Sequence, residues 1–146
     1  QALVTPSPLA NPRRVAIGLD PNRLSLLLAI LHRHGDSMFF DQDVFVNIAG
    51  GIRVNEPAAD LAVALALLSS FRNKAMTGRR VVFGELGLAG EVRPVADAQG
   101  RIREAVKLGF KGAITPRGDQ LQAPGTFQIT SVLRLGDAMD DAFSGS

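Results

Sequence analysis

Cysteine, tryptophan and tyrosine are all missing from this 146-residue sequence. Without cysteine there is no disulfide, no thiolate nucleophile and no cysteine-held zinc or iron–sulfur centre, which removes several enzyme classes together. Aromatic residues amount to 5%, all of them phenylalanine, so the base-stacking platforms of single-strand binders are not expected. The longest apolar stretches, Leu24–Leu31 and Leu61–Leu68, fall well short of the ~18–20 residues that cross a bilayer. No basic segment with a cleavable apolar core opens the chain. A phosphate-cradling G-x-x-x-x-G-K-[ST] loop is also missing, and Gly50-Gly51 runs into Ile52-Arg53 rather than into a helix. The sequence therefore reads as neither a membrane span, nor a secretory precursor, nor the nucleotide-binding part of anything.

What is present fits one folded domain. Hydrophobic residues make up 46% and charged residues 21%, and 15 Gly with 8 Pro are too few for a low-complexity segment. The length suits a single core, and the start at Gln1, running straight into Ala2-Leu3-Val4, suggests a domain excised from a larger protein. The net charge of +2 is small, but residues 72–118 hold ten bases against four acids. Residues 1–71 hold five against six, and residues 119–146 one against four. Thirteen of the sixteen bases are Arg, whose planar fork suits phosphate and carboxylate partners. A basic middle third is a candidate contact surface, against the plainer reading of a solvated helix face.

Periodicity and punctuation divide the chain into alternating elements. Gln1–Thr5 and Arg13–Leu19 read as strands around a Pro-rich turn. Asp20-Pro21 opens a helix whose stripe is Leu24, Leu27, Leu28 and Leu31, ending at Gly35. Asp43–Ala49 is a strand, with Ile52–Val54 continuing it past Gly50-Gly51, where the glycines suggest a bulge or a close backbone approach. Glu56–Phe71 is the clearest helix, and its alanines (Ala58, Ala59, Ala62, Ala64, Ala66) predict close packing against a neighbour. Val81–Glu85 and Glu91–Val95 form strands joined through Gly87 to Gly90, and Asp97 caps a helix to Leu108 stopped by Gly109. Strands Gly112–Thr115 and Phe127–Val132 precede a final helix, Leu135–Phe143. This order predicts an α/β or α+β domain with a mixed sheet.

Candidate chemistry is sparse. His32 and His34, two apart on a helix, face different ways and make no metal site, whereas His32-Arg33-His34 suits the negative end of a helix dipole. Glu56 and Asp60 share a helical face, but the dipole alone explains acids in a first turn. Ser69 and Ser70 lie near a helix C-terminus with no base assigned to them, a poor place for a nucleophile.

Whole segments carry a resemblance. Ala49-Gly50-Gly51-Ile52-Arg53-Val54-Asn55-Glu56-Pro57-Ala58-Ala59-Asp60-Leu61-Ala62, followed by Val82-Phe83-Gly84-Glu85-Leu86-Gly87-Leu88-Ala89-Gly90-Glu91-Val92-Arg93-Pro94-Val95, resembles the proteolytic domain of Lon-type proteases. Gln1-Ala2-Leu3-Val4, Asn11-Pro12-Arg13-Arg14, Asn22-Arg23-Leu24 and Asp41-Gln42-Asp43-Val44-Phe45-Val46-Asn47 look like one branch of it, the C-terminal domain of the bacterial RadA (Sms) family. The likeness runs from Gln1 to about Ala142.

It implies a Lon-protease-like fold, also named for the second domain of a ribosomal protein, serving a DNA-dependent ATPase motor in recombination and repair. In active members of the wider family a serine in a G-P-S-A-G-like turn is deprotonated by a lysine on a later helix. Here those positions are Ala58 and Gln99, which offer neither nucleophile nor base. The resemblance thus implies a non-proteolytic module. It places zinc, ATP and Mg in segments outside this chain and leaves the chain itself with no cofactor and no metal.

It further implies a hexameric ring, contact with duplex or branched DNA, and recombinase partners in the bacterial cytoplasm, with no membrane. The backbone-contact candidates are Arg79, Arg80, Arg93, Arg101, Arg103, Lys107 and Lys111, and the assembly candidates are Arg13, Arg14 and Arg23. A pure oligomerisation scaffold and an active serine peptidase are the competing readings.

Overall fold

The computed structural model describes residues 1–118 and 120–144. Strand β1 (Ala2–Pro6) pairs antiparallel with β3 (Gln42–Asn47), and β2 (Arg14–Ile17) pairs parallel with the other edge of β3. Helix α1 (Pro21–His34) makes the crossover between β2 and β3. As its sequence requires, the Asp20 side chain accepts from Asn22 N at 2.9 Å, and the helix ends at Gly35. The second sheet is wholly parallel, in the order β4 (Arg80–Val82), β7 (Gly112–Pro116), β8 (Gln128–Val132). A two-stranded ribbon, β5 (Glu85–Leu86) with β6 (Val92–Arg93), lies between β4 and α3 (Ala98–Lys107) in chain order. The mixed α/β class expected from the element order is what the chain adopts.

Helix α2 (Asp60–Arg72) is the centre of the molecule and packs against β1, α1, β4, β5 and the last helix, α4 (Leu135–Ala142). It is apolar on nearly every side, which is the pattern of a helix enclosed by neighbours rather than laid on a surface. Leu61, Ala64, Leu65, Leu67 and Leu68 are all at 0% exposure. Their cluster takes in Leu24, Leu27 and Leu31 of α1 and Leu135, Ala138 and Ala142 of α4. Asn73 stops α2 in the left-handed region at φ 51°, a conformation Asn tolerates better than most residues. A smaller core of Phe83, Ala98, Ile102 and Ala113 joins α3 to the parallel sheet.

Three expectations need correction. Ile52–Val54 does not prolong β3, because a 3-10 turn at Ala49–Gly51 redirects the chain and only Val54 bridges to Leu19. Gly50 and Gly51 make no close approach, since a Cβ on either would meet nothing within 4 Å, and what they supply is positive φ (86° and 69°). The stretch Val81–Glu85 is not one strand but two, in different sheets. The break is Gly84, at φ 152°, where a Cβ would lie 2.8 Å from Val92 Cγ1.

Candidate functional site

The turn that opens α2 is where the Lon resemblance would place a nucleophile. Pro57–Ala59 form a 3-10 turn leading into the helix, and Ala58 within it is 4% exposed. It borders a pocket of about 210 Å³ walled by Pro57, Glu85, Pro94 and Val95. Gln99, in the first turn of α3, is bound on both sides of its amide. Its Nε2 donates to Gln122 O at 2.8 Å and its Oε1 accepts from Gln122 N at 2.9 Å. The two positions thus hold a methyl group and an amide committed to a loop. Arg101 reaches from α3 to ion-pair with Glu56, donates to Ala96 O at 3.0 Å, and lies 5.8 Å from the centre of the Phe83 ring.

Asp60 corrects the expectation that the helix dipole alone explains it. It is 3% exposed, accepts Leu86 N at 3.1 Å and ion-pairs with Arg23, whose Nε lies 2.8 Å from Oδ1. It therefore ties α1, α2 and β5 together. No spacing in the sequence announces this, since Arg23 and Leu86 lie far from Asp60 in opposite directions along the chain. The serines are likewise structural: Ser69 Oγ donates to Lys74 O at 2.7 Å and Ser70 Oγ accepts Val4 N at 2.9 Å.

The structure sorts the seven basic candidates into two groups. Arg80 pairs with Asp141 and Arg101 with Glu56, while Arg93 lies 3.9 Å from Glu85 and 3.8 Å from Glu91. Arg79, Arg103, Lys107 and Lys111 are exposed and have no acid partner among the described residues. These four belong to contiguous structure. Arg103 and Lys107 lie one turn apart on α3, whose opposite side buries Ala98, Ile102 and Ala105. The loop after α3 returns through Phe110, whose N donates to Ala105 O at 3.1 Å. Lys111 N then donates to Arg79 O at 2.8 Å, and the Arg79 guanidinium lies 5.4 Å from the centre of the Phe110 ring.

Arg13, Arg14 and Arg23 are each engaged within the chain. Arg13 donates twice to Asp43 Oδ2, from Nε at 3.2 Å and from Nη2 at 2.7 Å. Arg14 donates from Nη2 to Phe39 O at 2.8 Å and from Nη1 to Gln42 O. Among the described residues no group of three or more His, Cys, Asp or Glu side chains is placed to hold a metal ion. His34 Nε2 instead lies 2.9 Å from Leu88 O, linking the end of α1 to the β5–β6 turn.

An α/β domain with an alanine in its helix-opening turn and four exposed cations without an acid partner among the described residues is the class these features define. The chain belongs to the family described as subunit ChlI of Mg-chelatase, whose model matches residues 26–119. It is 58% identical over 140 residues to the DNA repair protein RadA of Haemophilus influenzae, covering 95% of this chain and 31% of that protein. The RadA proteins of Escherichia coli, 55% identical over 140 residues, and Pseudomonas aeruginosa, 54% over 144, match it over 95% and 98% of its length. The chain spans 30–32% of the length of these relatives. No helix among the described residues is long and apolar enough to cross a membrane.

Proposed function

We propose that this domain is a non-proteolytic, Lon-like module of a RadA-type motor in DNA repair and recombination, where it holds duplex or branched DNA by the backbone and supports a hexameric ring. The observation that carries the reading is that Arg103 and Lys107, one turn apart on α3, and Lys111 and Arg79, joined by a backbone hydrogen bond, are exposed and each without an acid partner among the described residues. Cations already paired with acids contribute little to a polyanion, whereas unpaired ones release counterions from it. Ala58 and Gln99 support the absence of peptidase chemistry, having no group that attacks a carbonyl or takes a proton. In this reading ATP hydrolysis, Mg and Zn belong to other segments of the parent protein, which works with recombinase partners in the bacterial cytoplasm, and Arg80, Arg93 and Arg101 serve the fold first.

The test is duplex binding by this chain across a salt series. With about four phosphates neutralised, log affinity falls against log salt with a slope of about −3 to −4. Arg103→Glu with Lys107→Glu weakens every DNA sequence alike. Salt-independent binding, or no response to the double reversal, rejects the DNA role.

A second reading, the pure scaffold, is favoured by one feature. Leu3 and Val15 lie across from Phe45 on β3, and Leu3, Val15 and the nearby Ile17 are 55%, 37% and 59% exposed. An apolar sheet face of this kind suits a protein neighbour. Under that reading Leu3→Asp with Ile17→Asp dissociates the parent assembly in sedimentation while DNA is never bound.

A further inference from the structure

A groove of about 360 Å³ opens where the parallel strands β4, β7 and β8 begin, with Arg79, Arg80, Lys111, Thr130 and Asp141 among its walls. Its charges are unequal in availability. Arg80 is engaged through all three of its nitrogens: Nε donates to Thr77 O at 3.0 Å, Nη2 to Thr77 Oγ1 and Asp141 O at 3.1 Å each, and Nη1 ion-pairs with the Asp141 carboxylate. The carboxylate in the groove is therefore already neutralised by a guanidinium that is itself only 13% exposed. Arg79 and Lys111 remain, on neighbouring chain segments joined by the Lys111 N to Arg79 O hydrogen bond. The Arg79 guanidinium lies over the Phe110 ring, 5.4 Å from its centre, and no side-chain hydrogen bond to another described residue holds it. Two uncompensated cations beside the Thr130 hydroxyl suit a tetrahedral oxyanion. No aromatic side chain is among the described residues that line the groove.

We propose that this groove seats one phosphodiester of the DNA backbone, gripped by Arg79 and Lys111, with the Arg80–Asp141 pair as its wall. The proposal rests on the DNA-contact reading and assigns that contact a defined anchor, from which the duplex runs on to Lys107 and Arg103. It also gives Asp141 a role: its carboxylate keeps a third cation from the ligand and so moderates affinity.

The test uses this chain with two probes, inorganic phosphate and a short duplex, the duplex made with and without terminal phosphates. Inorganic phosphate shifts the amide resonances of Gly78, Arg79, Lys111 and Gly112 saturably, and the duplex shifts the same set. Arg79→Ala with Lys111→Ala abolishes both responses, lowers duplex affinity about tenfold at moderate salt and makes the salt slope shallower by about one to two, with an unchanged melting midpoint. Asp141→Asn tightens duplex binding severalfold. Asp140→Asn, which changes net charge equally on the same helix, leaves affinity within about twofold.

Duplex binding that persists in the Arg79/Lys111 variant, with shifts elsewhere, overturns the anchor while the DNA reading stands. Affinity that depends on a terminal phosphate overturns the phosphodiester assignment. A chain that binds no duplex at any salt overturns the DNA reading and the anchor with it.

Discussion

At Asp43 one neighbour supplies nearly everything that holds the charge. The Arg13 guanidinium and the Arg13 backbone N–H, the latter at 2.7 Å, hold the carboxyl at about 2 against an ordinary 3.8, with burial opposing them. The native state thus binds this proton less readily than the unfolded chain does. The pair's contribution to stability is complete above the ordinary carboxylate range and is lost as pH falls from about 4 toward 2. Asp43→Asn flattens that acid limb, as urea midpoints at pH 2–5 will register. Asp60 has the sharper structural role. Asp60→Ala strands Arg23 and the Leu86 N–H, and the cost is roughly 3 kcal/mol in chemical denaturation. The sequence displayed both carboxylates but not their worth, because each partner is brought in by tertiary folding.

Among the elements, those with a strong period or a clear cap were legible. The α1 stripe, the Asp97 cap and the stop at Gly109 all recur as read, Asp97 accepting Gly100 N at 3.2 Å. Misreadings arose where chain direction turns on backbone geometry, as at Gly84 and Gly50-Gly51. The alanine pattern of α2 identified a crowded helix but not its most crowded position, since Ala62 keeps partial exposure while Ala64 is at 0%. Ala64→Leu therefore overpacks the contact and costs about 1–3 kcal/mol, whereas Ala62→Leu costs less. Thermal melting of the two variants separates the cases.

For the molecule as a whole, the proposed absence of proteolytic chemistry rests on more than one missing hydroxyl. Ala58→Ser introduces no peptidase activity, because Gln99 is no base and its amide is tied to Gln122. Labelling by a serine-directed phosphonate checks this, and turnover of casein by the variant would refute it. Ala58 and Gln99 were singled out only through resemblance, since neither residue type carries a chemical signal of its own. The division of the basic third into paired and unpaired cations was not legible in the sequence, because Arg80, Arg93 and Arg101 find their acids through the fold.

The placement of α4 has a consequence for synthesis. Leu135, Ala138, Ala142 and Phe143 complete the core that Leu24, Leu27, Leu31 and the apolar side chains of α2 began. Thr77 N also donates to Ala142 O at 2.8 Å. A ribosome working through this domain therefore carries an open apolar cleft for most of the translation time. The nascent chain remains a client for chaperones until its final helix emerges and seals the cleft.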